Sequence, residues 1–115
     1  MDSRLTLGTG TVGDRNVTCM RDNGSTVCVL RHSLARRHEF TGKTRKLLLL
    51  NSAPLEAPEV RVCVMTPFYS GWINAVTLES PLYDLVIGNI PGATNGLSKN
   101  VDSDVRCIGV AGRLW

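Results

Sequence analysis

The chain has 115 residues with a formal net charge of +3, and 43% of its residues are hydrophobic and 20% charged. That length sets one domain as the default, able to bury roughly 65% of its unfolded surface, and that balance excludes widespread disorder. The mild charge makes no general case for nucleic acid, and no apolar run approaches the ~20 residues of a membrane helix.

Taken in chain order, the pattern is mostly β. Strand-like runs occupy residues 4–7, 16–20, 26–30, 45–50, 60–65, 72–78 and 85–87. They are short, rich in Val, Ile, Leu and Thr, and separated by Gly, Pro, Asn and Ser. Val60, Val62 and Val64 alternate with Arg61, Cys63 and Met65, the period-2 signature of a half-buried strand. Turns are expected at Val12-Gly13-Asp14, Thr41-Gly42-Lys43, Asn51-Ser52-Ala53-Pro54, Ser70-Gly71 and Pro81-Leu82-Tyr83-Asp84. Helix is confined to single turns. Ser33 is placed to cap one through Arg37, and Gly88-Asn89-Ile90 opens another that Pro91-Gly92 cuts off. The domain is assigned to residues 1–93. Residues 94–115 form a polar, turn-rich tail whose late apolar stretch, 105–110, reads as a further strand.

The N-terminal Met1-Asp2-Ser3-Arg4-Leu5 lacks the apolar segment of a secretory signal, so a soluble, cytoplasmic or otherwise intracellular protein is expected. Cys19, Cys28, Cys63 and Cys107 contain no C-x-x-C pair. They are therefore expected as free, buried thiols, with no metal and no cofactor. Arg31, His32, Arg36, Arg37, His38, Lys43, Arg45 and Lys46 form a basic stretch, expected as a solvated face and not as a nucleic-acid contact. Ser25 and His32 lack the third orienting group of a Ser–His nucleophile. The sequons at Asn16 and Asn23 carry little weight without a signal peptide.

The chemistry concentrates at Asp22-Asn23-Gly24, between two apolar runs. Two readings stand. Asn-Gly in that position is a strong type I′ hairpin signal. Alternatively, a carboxylate held rigidly at a turn suits general acid–base work. An extended hairpin follows, around Leu50-Asn51-Ser52-Ala53, and then Leu85-Val86-Ile87-Gly88.

The order of a catalytic turn, a flap and a second apolar-apolar-Gly strand resembles the retropepsin-like aspartic proteases of gypsy-type retroelements. Met20-Arg21-Asp22-Asn23-Gly24 resembles the family's Leu-Arg-Asp-Thr-Gly, and Cys28-Val29-Leu30-Arg31-His32-Ser33-Leu34 its Val-Val-Val-Arg-Arg-Ser-Leu. Thr66-Pro67-Phe68 with Ser70-Gly71, and above all the run from Pro81-Leu82-Tyr83-Asp84-Leu85-Val86-Ile87-Gly88 on to Asn89-Ile90-Pro91-Gly92-Ala93, follow the family pattern closely. The likeness covers residues 8–93.

The resemblance implies an all-β fold, a small closed β-barrel of the acid-protease type with a flap hairpin. It implies an aspartic endopeptidase that processes a retroelement polyprotein. Asp-x-Gly occurs once in the chain, so catalysis would require a homodimer with Asp22 from each subunit on the two-fold axis. Asp22 would be catalytic. Gly24 and the flap tip Leu50, Asn51, Ser52 and Ala53 would contact an extended peptide. Asn23 and Gly88 would support the site. The chain departs from the family in two places: Asn23 replaces the usual Thr or Ser, and Asn51-Ser52-Ala53 replaces Asp-Gly-Thr. Those departures give the alternative, a catalytically degenerate or co-opted dimeric peptide-binding module. An unrelated β-module with a plain hairpin at Asn23-Gly24 is the third reading.

Overall fold

The structure, a computed structural model, describes residues 6–48 and 54–96. Seven strands are present: β1 (Thr6–Val12), β2 (Arg15–Arg21), β3 (Cys28–Arg31), β4 (Phe40–Leu48), β5 (Pro54–Met65), β6 (Ser70–Leu78) and β7 (Leu85–Ile87). They form one sheet in the order β1-β2-β7-β3-β6-β5-β4. β1 returns to pair with β5 through Thr11↔Met65 and Val12↔Val64. Six strands thus close into a ring, and β4 lies outside it as a free edge. The all-β expectation holds, and each of the seven anticipated strands appears.

The ring encloses a core of Val12, Val17, Cys19, Cys28, Leu30, Val60, Val62, Val64, Phe68, Ile73, Ala75, Leu85 and Ile87. The alternation read in 60–65 therefore points inward, as period 2 requires. A second apolar cluster covers the opposite face of the sheet: Met20, Val29, Ala57, Val76 and Val86, with Val27, Leu47, Leu78 and Tyr83 packed against it. β7 is buried on both faces, Leu85 and Ile87 inward and Val86 outward, which explains its unbroken apolar run.

Several local expectations are corrected. Thr41-Gly42-Lys43 is not a turn between elements but lies inside β4, at a register irregularity between Phe40 and Thr44 where Gly42 takes a φ of 90°. Ser70-Gly71 opens β6, paired with Met65 and Val64. Ser33 caps no helix. The segment forms two separate 3-10 turns, His32–Leu34 and Arg37–Glu39, the second closed by Glu39 accepting the Arg36 N–H at 2.7 Å. Gly88-Asn89-Ile90 is not helical either. Asn89 donates instead to Ser25 O at 2.8 Å, which draws the chain back toward the loop after β2.

Cys19 and Cys28 are free and buried, as expected, whereas Cys63, also expected free, is disulfide-bonded. Spacing along the chain gave no sign of that pairing, which depends on how distant Cβ atoms meet in space. The remainder of the 94–115 tail beyond Gly96 lies outside the described residues. Thr94 still belongs to the domain, donating its N–H to Phe68 O at 2.8 Å. No described helix is long and apolar enough to cross a membrane.

The basic stretch is partly paired. Arg31 Nε meets Asp84 Oδ1 at 3.0 Å, Arg36 meets Asp14 at 3.0 Å, and Arg45 meets the buried Glu59 at 3.5 Å. Asp84 ties the entry of β7 to both neighbouring strands. Its Oδ2 accepts the Thr18 N–H at 3.0 Å and the Thr18 hydroxyl at 3.2 Å, and its carbonyl accepts the Arg31 N–H at 2.9 Å. The Thr18 N–H first, then Arg31 and the Thr18 hydroxyl, hold the Asp84 carboxyl below the usual range. A depressed carboxylate stabilises the fold fully above its unfolded pKa and loses that contribution as pH falls through the folded one. Asp84→Asn should therefore cost about 1–2 kcal/mol at neutral pH. The gap to wild type should begin to close below about pH 5 in urea unfolding and keep closing as pH falls through the lowered folded pKa.

Candidate active site

Asp22-Asn23-Gly24 joins β2 to β3, yet those strands do not pair with each other. β7 runs between them, parallel to β2 (Cys19↔Leu85, Met20↔Val86, Arg21↔Ile87) and antiparallel to β3 (Val29↔Val86, Leu30↔Leu85). The plain hairpin reading is therefore overturned. An intervening strand sets β2 and β3 about 10 Å apart, twice the spacing of paired strands. The connection must bridge that gap, and residues 22–27 do so.

The loop is held by many short bonds. Asp22 donates its N–H to Ile87 O at 3.0 Å, and its carbonyl accepts the Ser25 N–H at 3.2 Å. Asp22 Oδ1 accepts the Gly24 N–H at 2.9 Å, a carboxylate-to-backbone turn of the kind Asp favours. Asp22 Oδ2 has no partner among the described residues. Asn89 anchors the far side, its Nδ2 donating to Asn23 O at 2.5 Å and its N–H to Ser25 O. The Asn23 side chain is exposed and has no hydrogen bond among the described residues.

Arg21 is the residue that sequence reasoning passed over. Its guanidinium gathers four acceptors: Thr94 O at 2.9 Å, Ile87 O at 3.2 Å, Gly88 O at 2.9 Å and Asn89 Oδ1 at 2.9 Å. One side chain thus clamps the exit of β7 to the loop beside Asp22. The available signal was an arginine closing an apolar strand directly before a candidate carboxylate, and it had no assigned partner.

Gly88 packs directly beneath the loop. A Cβ there would lie 2.2 Å from Val27 O and 2.9 Å from Ser25 O, both backbone atoms that have no room to yield. Its N–H points to Cys28 Sγ at 3.4 Å in the buried interior. Burial pushes the Cys28 thiol up, partly opposed by that N–H and by Arg21. Gly24 differs: its φ is not positive, and a Cβ would meet only Asp22 Oδ1 at 3.5 Å. The folded chain by itself does not require glycine at 24.

Beside the turn lies the second apolar cluster, with Met20 and Val29 on the two strands that flank the loop and Val86 on β7 between them. The β4–β5 hairpin contributes Leu47 to it, so the hairpin reaches over this face. Leu50, Asn51, Ser52 and Ala53, the expected hairpin tip, lie outside the described residues. Ser25 and His32 form no pair. Ser25 Oγ bonds to Val27 O at 2.8 Å, and the His32 ring packs on Phe40 at 5.6 Å. Among the described residues no group of three or more His, Cys, Asp or Glu is placed to hold a metal ion.

No protein-family model matches the chain, and no curated protein matches it. The two glycines give a direct check on the geometry. Gly88→Ala should destabilise the fold by about 2 kcal/mol or more, the scale of a steric clash in a packed site. Gly24→Ala should change unfolding free energy by less than about 1 kcal/mol. Equal losses in chemical denaturation would contradict the packing described.

Proposed function

We propose that the chain is one half of a homodimeric aspartic endopeptidase of the retropepsin-like type, acting on extended peptide segments of a retroelement polyprotein. The observation that carries this reading is the state of Asp22. It is a partly exposed carboxylate on a loop fixed by β7, with one oxygen engaged by Gly24 and the other unpartnered among the described residues. On this reading the six-strand ring is the small acid-protease barrel, and the β4–β5 hairpin is its flap. The apolar face under Leu47 receives substrate side chains.

Two copies of Asp22 would share one proton across a two-fold axis. One carboxylate takes a proton from the attacking water while the other protonates the carbonyl oxygen. Two carboxylates in contact resist double ionisation, so the pair titrates as a unit and favours an acidic to near-neutral optimum. Gly24, unconstrained within its own chain, would leave room for substrate backbone or for the second loop.

Asn23 favours a second reading, a dimeric peptide-binding module that does not cleave. In the proteases that the chain resembles, a Thr or Ser hydroxyl at this place bonds across the axis. Asn23 offers a longer planar amide with both a donor and an acceptor. A displacement of ~1 Å between the carboxylates would cost about 100-fold in rate.

Cleavage of a peptide library should be inhibited by a transition-state analogue of aspartic proteolysis. Asp22→Asn keeps the acceptor for Gly24 and should keep the fold, while lowering cleavage by at least about 100-fold. Undiminished cleavage by that variant would sink the assignment. An inert wild type rescued by Asn23→Thr identifies the non-cleaving module. A strictly monomeric species at micromolar concentration in sedimentation counts against both readings.

A further inference from the structure

The face beside Asp22 changes character along β5 and β6. Cross-strand pairs Arg61↔Asn74 and Cys63↔Trp72 continue it past the apolar cluster, and Arg45 joins it from β4, opposite Ala57. A cavity of about 340 Å³ opens there, lined by Thr26, Val27, Arg45, Arg61, Trp72 and Asn74, among others. Val27 lines this cavity and also packs against the apolar cluster, so the two surfaces are continuous. The cavity wall begins at Thr26, just past the candidate catalytic turn.

Two guanidinium groups line this space and no carboxylate does. Arg45 is already engaged by Glu59 at 3.5 Å. Arg61 pairs with no carboxylate among the described residues. It is nonetheless held: Nη1 donates to Asn74 Oδ1 at 2.8 Å, and Cζ lies 5.7 Å from the centroid of the Trp72 ring. A neutral amide and an aromatic face orient the guanidinium without neutralising it. The remaining N–H donors keep the fixed fork geometry that suits a carboxylate.

We infer that this cavity is a subsite for an acidic side chain, an Asp or Glu of a bound peptide whose carboxylate meets Arg61 while its neighbouring apolar side chains lie along Val29, Val76 and Val86 toward Asp22. The inference rests on the peptide-binding reading of the site and adds to it the charge that the peptide must carry.

The test uses peptides with one apolar core and a single Glu, Gln or Lys scanned through the flanking positions. Cleavage is measured with the full chain, and equilibrium binding of labelled peptides is measured with Asp22→Asn. At one flanking position Glu should be preferred over Gln by about tenfold, the scale of one charge-assisted pair, with Lys disfavoured. In Arg61→Gln the Glu-to-Gln ratio should fall to about one. Asn74→Ala keeps the charge but frees the fork, and should reduce the ratio partway. Cleavage with no acidic preference overturns the subsite and leaves the protease reading intact. Acid-selective binding that depends on Arg61, without cleavage, supports the subsite and removes the protease reading. Binding with no charge preference and no cleavage overturns both.

Discussion

The insertion of β7 between β2 and β3 is the constraint on which the rest of the structure depends. Three residues, Leu85, Val86 and Ile87, supply hydrogen bonds to two strands and side chains to both apolar clusters. Because the strand is shared, the Asp22 loop is suspended across it instead of closing as a hairpin. The absence of a side chain at Gly88 then lets the loop backbone settle onto the strand's exit. Two polar devices fix the ends: Asp84 at the entry reaches Thr18 and Arg31, and Arg21 at the exit gathers the carbonyls of Ile87, Gly88 and Thr94. Exposed ion pairs contribute little, but Arg21 bonds the partly buried carbonyls of Ile87 and Gly88, where losing one partner is costly.

Much of this was legible in the sequence, for reasons that also mark where legibility ended. Alternation in 60–65 and β-branched enrichment elsewhere revealed the strands, because a pleated strand forces period 2 on whatever it half-buries. The unbroken apolar run at 85–87 marked a strand, and its burial on both faces came from the structure. Its location between β2 and β3 was invisible to local pattern, since its partners lie some sixty residues upstream. The Asn-Gly signal at 23–24 pointed to a hairpin, and the hairpin lost because β7 satisfies both flanking strands at once. The expected turn at Gly42 became a bulge for a similar reason: Gly42 takes a positive φ, but β5 extends far enough to keep pairing on either side of it. The likeness carried by residues 81–93 did locate Gly88 beneath the turn, which no propensity rule would have supplied.

Charge in this chain divides into two kinds. Arg15 is consumed by Glu39 and the Leu34 carbonyl, Arg21 by backbone, Arg31 by Asp84, and Arg45 in part by Glu59. These cations staple irregular segments to the ring, and within the basic stretch 31–46 they account for Arg31 and, in part, Arg45. Arg61 belongs to the other kind. It is oriented by the neutral Asn74 amide and Trp72 ring and pairs with no carboxylate among the described residues.

The position of β7 also carries a consequence for the order in which the protein is made. Asp22 is made well before the strand that supports its loop, which ends at Ile87, and the glycine beneath the loop follows that strand. A ribosome-bound chain shorter than this has the carboxylate without the platform, and the space between β2 and β3 is still open. Sheets assembled from such distant partners form slowly, because loop closure must precede the reward of pairing. Support for the Asp22 loop is therefore withheld until β7 and Gly88 have been made. That timing comes from topology alone.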